Sequence, residues 1–123
     1  MLIDTHAHVN FSAYREDADA VIRRSLDENV WMVNVGSDYK SSKRALDYAN
    51  KYQRGVYAAV GLHPIHTWEY KDEKEVIPAE EFTYEMYEKL ASFEKVVAIG
   101  EIGLDYYRLD TNGNAEAQKE KQK

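Results

Sequence analysis

The sequence predicts an α/β fold built on a parallel sheet, and three observations carry that prediction. Short apolar runs alternate with amphipathic stretches of helical period along the chain. Three of the runs are rich in β-branched residues, and they show little internal polar alternation, as in strands covered on both faces. Residues able to do chemistry fall directly after the runs, where open and closed α/β sheets alike bind ligands.

The elements follow in order. Leu2–Thr5, Val30–Val35, Val56–Leu62 and Val96–Ile99 read as strands, each expected to be buried on both faces. Ala18, Val21, Ile22 and Leu26 form one apolar stripe at i, i+3, i+4 and i+8. Ala45, Tyr48, Ala49 and Tyr52 repeat it, with Ser41 or Ser42 as the expected N-cap and Gly55 just past the end. Thr83, Met86, Tyr87, Leu90 and Ala91 make a third helix behind Pro78, with Glu80 and Glu81 suited to its N-terminus. Glu116–Lys123 reads either as the opening of a fourth helix or as a solvated tail. The order is βαβαβαβ with right-handed crossovers.

Composition narrows the function. The 123 residues make one domain, spanning 1–123, with 44% hydrophobic and 31% charged residues, enough apolar content for a core. No apolar run reaches the roughly 18 to 20 residues of a membrane helix, and the N-terminus lacks the pattern of a signal peptide. The absence of cysteine removes disulfides, zinc–thiolate sites and cysteine nucleophiles, and fits the cytoplasm. A net charge of −6 argues against a protein that coats nucleic acid. It leaves open a metal-dependent enzyme acting on phosphodiesters, since bound cations invert the local field. The ten tyrosines scatter along the chain, as amphipathic residues on helix faces and loops do.

Two segments carry the chemistry. In Asp4-Thr5-His6-Ala7-His8, period two sends His6 and His8 the same way, close enough to chelate one cation, with Asp4 in register to orient a histidine. The competing reading is a pair of exposed loop histidines. In Gly100-Glu101-Ile102-Gly103-Leu104-Asp105, a carboxylate sits at the mouth of an apolar strand, an expensive place unless cations or a basic side chain compensate it. Asp105 is expected to pair with a histidine or with Arg108. Gly61-Leu62-His63-Pro64 ends the third strand; Gly61 permits close backbone approach, and His63 either lines the site or serves the loop. His66 reads as a loop residue.

Taken together, Asp4-Thr5-His6-Ala7-His8, Gly61-Leu62-His63-Pro64 and Val97–Tyr107 in this order resemble the TatD family of metal-dependent hydrolases, over Met1 to about Gln118. The resemblance implies the first half, about four βα units, of a TIM-type (β/α)8 barrel. It implies a site for two divalent cations (Mg, Mn or Zn) and hydrolysis of DNA phosphodiester bonds. Carried over by position, His6 and His8 ligate the first metal, Glu101 bridges both as the catalytic carboxylate, and His63 lies on the substrate side, with Asp4, Asp105 and Arg108 in support. The family completes its site with later histidines and an aspartate, whereas every histidine here lies at or before His66. The chain therefore reads as a truncated piece, with weak or no activity alone and two open sheet edges available for self-association. The alternatives are another His-x-His barrel (an amidohydrolase or a PHP-type phosphoesterase) and a noncatalytic, self-associating fragment.

Overall fold

The computed structural model describes residues 1–71, 76–110 and 113–123. Its elements are β1 (Leu2–Ala7), α1 (Ala18–Asp27), β2 (Val30–Val35), α2 (Tyr39–Lys51), β3 (Val56–Val60), β4 (Tyr70–Lys71), β5 (Val76–Ile77), α3 (Tyr84–Ala91), β6 (Val96–Ile99) and α4 (Ala115–Lys121). Strands β1, β2, β3 and β6 form one parallel sheet in that spatial order, and β4 pairs with β5 as a small antiparallel hairpin. The four predicted strands and three predicted helices are all present. Glu116–Lys123 resolves in favour of the helix, α4.

The helical stripes bury most of what their spacing says they should, except that Met86, on the expected stripe of α3, is 41% exposed. Ala18 and Ile22 of α1, Ala45, Leu46 and Ala49 of α2, and Leu90 of α3 meet Met32 of β2 and Val56, Ala58 and Val60 of β3 in one core. Ile22 is wholly buried, and removing such a side chain from water contributes about 1.5–3 kcal/mol. Tyr39, Tyr48 and Tyr52 pack around this cluster from the flanks, as the amphipathic reading of the tyrosines anticipates.

Helix ends show where local reading goes astray. The N-cap of α2 is Asp38, not Ser41 or Ser42. Asp38 Oδ1 accepts from Ser41 N at 2.6 Å, and the Ser41 hydroxyl accepts from Asp38 N at 3.0 Å, a reciprocal capping box. Gly55 lies beyond the Tyr52 C-cap and serves the turn into β3 with φ +82°. Glu80 does not start α3, which is entered through Thr83. Its carboxylate caps α2 instead, accepting from Tyr39 N at 3.0 Å and from the Tyr87 hydroxyl at 2.5 Å. Burial and that hydrogen bond push the Tyr87 hydroxyl far above its ordinary pKa, so it remains a donor across the working pH range.

The expectation of strands covered on both faces holds for the inner pair and fails at the edges. Met32, Val35, Val56, Ala58 and Val60 are buried, whereas Leu2, Ile3, Val97 and Ile99 are all more than half exposed. The strand order explains it: β1 and β6 are the two margins of the sheet, each with one neighbour.

Candidate metal centre

Because the sheet is parallel, the carboxyl ends of β1, β2, β3 and β6 share one rim. In a flat four-stranded sheet the outer strands stand roughly 14 Å apart, three spacings of about 4.8 Å. Yet His6 from β1 and Glu101 from the end of β6 meet there, with His6 Nε2 at 3.6 Å from Glu101 Oε2. Backbone contacts across the rim close the gap. Gly100 N donates to Val60 O, and the chain then crosses the end of β3, so that Glu101 N donates to Gly36 O beyond β2, each at 2.9 Å. Gly61 makes the crossing possible: a Cβ there would sit 2.7 Å from Gly100 C and 3.0 Å from Glu101 N. The close approach expected of Gly61 is thus made to the segment that delivers the carboxylate.

His6, His8 and Glu101 form a three-ligand cluster, the one such group among the described residues, with donor atoms within 4.8 Å of one another. Ligands about 2.1 Å from a common ion stand about 3.4 Å apart in tetrahedral geometry, so closing the widest separation by at most about 1.4 Å seats a cation. The chemistry fits as well. His8 Nδ1 donates to Val35 O at 3.0 Å, which leaves Nε2 as the lone pair the ring can offer. The His8 ring stacks on Phe11, with centroids 4.3 Å apart, and meets His6 edge to face at 4.9 Å. Two imidazoles and a carboxylate suit a divalent ion of the Mn or Zn kind.

The supporting residues are placed more variously. Asp4 Oδ1 accepts from the backbone N of His6 at 3.0 Å, so it steadies that peptide rather than a histidine ring. His63 joins the cluster: Nε2 lies 3.6 Å from Glu101 Oε1, and Nδ1 accepts from Ile65 N at 3.0 Å. Its neutral ring therefore carries its proton on Nε2, the edge facing the carboxylate. Asp105 pairs with Arg108, at 2.7 Å, and not with a histidine. Desolvation pushes the Asp105 carboxyl up, but hydrogen bonds from Arg108 and from the Tyr107 and Arg108 peptides outweigh it and hold the group below its usual range. Gln122, the C-cap of α4, locks this loop by bonding both the N and the O of Asp105. His66, expected in a loop, lies in a single 3-10 turn, Pro64–Thr67, with Nε2 3.2 Å from Ser37 Oγ; burial lowers its pKa and favours the neutral ring.

Two residues that the sequence reading passed over belong to this rim. Asn10 and Asn34 are both fully buried. Asn34 lies in an otherwise apolar strand at the parity of core residue Met32, and its Oδ1 accepts from Val9 N at 3.1 Å. A polar side chain in such a run was the available signal.

A βα-repeat rim that gathers two histidines and a carboxylate defines the class of barrel proteins that hold divalent metals at their strand ends. The sequence matches the family described as TatD related DNase over residues 3–122, and the chain belongs to that family. It is 40% identical over 108 residues to an uncharacterized metal-dependent hydrolase, YabD, of Bacillus subtilis, a match covering 87% of this chain and 38% of the relative. It is 29% identical to a 3'-5' ssDNA/RNA exonuclease TatD of Erwinia tasmaniensis, again over 87% of this chain and 38% of that one. Among solved structures, the TatD homologue YjjV of Escherichia coli superposes with a TM-score of 0.63 at 28% identity, covering 98% of this chain and 44% of that chain. The fold is thus the leading βα units of a TIM-type barrel, and the chain spans less than half the length of these relatives. Family membership favours the TatD reading over the amidohydrolase and PHP alternatives.

Proposed function

We propose that this chain carries one side of a dinuclear cation site for hydrolysing phosphodiester bonds in DNA. His6 and His8 would hold the first divalent ion, Mg, Mn or Zn, and Glu101 would reach both. The observation that carries the reading is the convergence of His6, His8 and Glu101 from opposite margins of the sheet. Names of relatives support it: a metal-dependent hydrolase, putative deoxyribonucleases, and an exonuclease acting on single-stranded DNA and RNA.

The chemistry such ions supply is polarisation of a phosphoryl oxygen and activation of water. The protein's own groups do the rest. Asp4 and Val35 O fix the two histidines, one through its peptide and one through its ring. His63 presents an Nε2–H that can donate to an anionic phosphate oxygen. Arg108, more than half exposed and anchored by Asp105, offers a guanidinium to the nucleic-acid backbone. Three side chains are about half of what a dinuclear site uses, so the 123-residue chain alone is expected to show little or no turnover.

A chimaera in which this chain replaces the matching segment of the Erwinia exonuclease tests the reading. Mn²⁺-dependent hydrolysis of single-stranded DNA, lost on Glu101→Gln, is the expected result. A folded chimaera that binds Mn²⁺ but cleaves no DNA overturns the assignment. The cytoplasm is the compartment this reading assumes; among the described residues no helix is long and apolar enough to cross a membrane.

Self-association belongs to the same proposal. Ile3, Val97 and Ile99 on the two marginal strands are 51%, 54% and 61% exposed, and unpaired strand edges template pairing with another copy. Apparent mass in size-exclusion chromatography should rise with protein concentration. A monomer up to high micromolar concentration contradicts it.

A further inference from the structure

Behind His8 the two buried asparagines hold the chain on both sides of the ring. Asn34 Oδ1 takes the N–H of Val9, the peptide that follows His8. Asn10 Nδ2 donates to Val35 O and to Ser41 O, each at 3.0 Å, joining the end of β2 to the first turn of α2. Val35 O is also the partner of His8 Nδ1, at 3.0 Å. A carbonyl oxygen has two acceptor sites and no proton, so Asn10 occupies one and the His8 ring must donate to the other.

Asn10 Oδ1 and Asn34 Nδ2 are buried and have no hydrogen-bond partner among the described residues, and a buried polar group left unpaired is costly. Apolar side chains of similar volume would remove those orphans but leave the N–H of Val9 and the carbonyl of Ser41 without their partners, and the Val35 carbonyl without its anchor.

We propose that Asn10 is a positioning residue for His8: by holding the Val35 carbonyl against α2, it keeps the ring in the Nδ1–H form with the Nε2 lone pair free for a cation. The affinity consequence rests on the cation reading of the site; the ring geometry does not.

Long-range ¹H–¹⁵N NMR on the 123-residue chain without metal, followed by a Co²⁺ titration read by absorbance, separates the two. The wild-type His8 ring should be protonated at Nδ1. Asn10→Ser, folded by circular dichroism, should lose that single form and bind Co²⁺ about 10- to 100-fold more weakly, as for other partners that orient ligands from behind. An Nε2–H ring at His8 in the wild type overturns the proposal, as does a folded Asn10→Ser chain with His8 signals and Co²⁺ affinity unchanged. If the serine variant does not fold, Asn10→Gln carries the same comparison, because a displaced amide must move the His8 signals. A wild-type chain that binds no Co²⁺ refutes the cation reading, and the NMR comparison then decides the role of Asn10.

Discussion

Replacing Glu101 by glutamine is expected to cost this chain at least about 100-fold in affinity for Mn²⁺ or Zn²⁺, about 2.8 kcal/mol. The change keeps size and shape but removes the anionic charge, leaving two neutral imidazoles to hold a dication. Losing a partner that merely orients a ligand costs 10- to 100-fold, so losing the charged ligand itself should cost no less. The fold should be indifferent, because the carboxylate is about one-third exposed and its side-chain neighbours, His6 Nε2 and His63 Nε2, stand 3.6 Å away. Thermal unfolding provides a second readout. Binding to the native state alone adds about 2.7 kcal/mol when the ion is at 100 times its Kd, so added Mn²⁺ should raise the wild-type Tm and leave the variant's unmoved. Equal calorimetric affinities for the two chains would place the cation elsewhere and remove the site.

That site was largely legible in the sequence because its three donors each follow an apolar run, and a parallel sheet carries all such positions to one rim. The helices were legible because their buried faces repeat at helical spacing: Ala18, Ile22, Ala45, Ala49 and Leu90 are all in the core. What escaped was set by contacts between distant residues. Nothing local to Glu80 indicates that it caps a helix starting 41 positions earlier. Asp38 and Ser41 are equally good capping residues, and only the chain's exit from β2 decides which of them has the extended backbone. The runs of β1 and β6 are as apolar as those of β2 and β3, so composition could not reveal that they lie at the margins. The hairpin β4–β5 has only two residues per strand, too short for any period to register. Asn10 and Asn34 were missed for another reason: Asn34 stands out as a polar residue in an apolar run, but the backbone groups that are their partners leave no mark in a sequence.

Gly61→Ala should separate the site from the fold. Added to the wild-type backbone, its Cβ would lie 2.7 Å from Gly100 C and 2.9 Å from Gly100 O, nearer than real Cβ atoms come to backbone. The segment passing over β3 must therefore lift. Around Glu101 that segment has room as far as Asp105, which Gln122 holds, since neither Gly100 nor Gly103 has a neighbour within 4 Å of where a Cβ would be. It can move without dragging the core, so the stability loss should stay near the lower end of the 1–3 kcal/mol that overpacking costs. Cation affinity should suffer far more, because a lift of about an ångström breaks the Glu101 N to Gly36 O bond and withdraws the carboxylate from His6. A fall in Mn²⁺ affinity of about tenfold or more, with Tm only slightly lowered, is the expected pattern. Gly36→Ala supplies the contrast. Its Cβ would lie 2.2 Å from Ser42 Oγ and 2.5 Å from Ser42 Cα, on a fully buried residue of α2. Nothing there can move independently of the helix, so that variant should lose stability by the full 1–3 kcal/mol or more. If Gly61→Ala binds Mn²⁺ as the wild type does, the carboxylate is not held by its passage over β3, and His6 and Glu101 must meet by some other route.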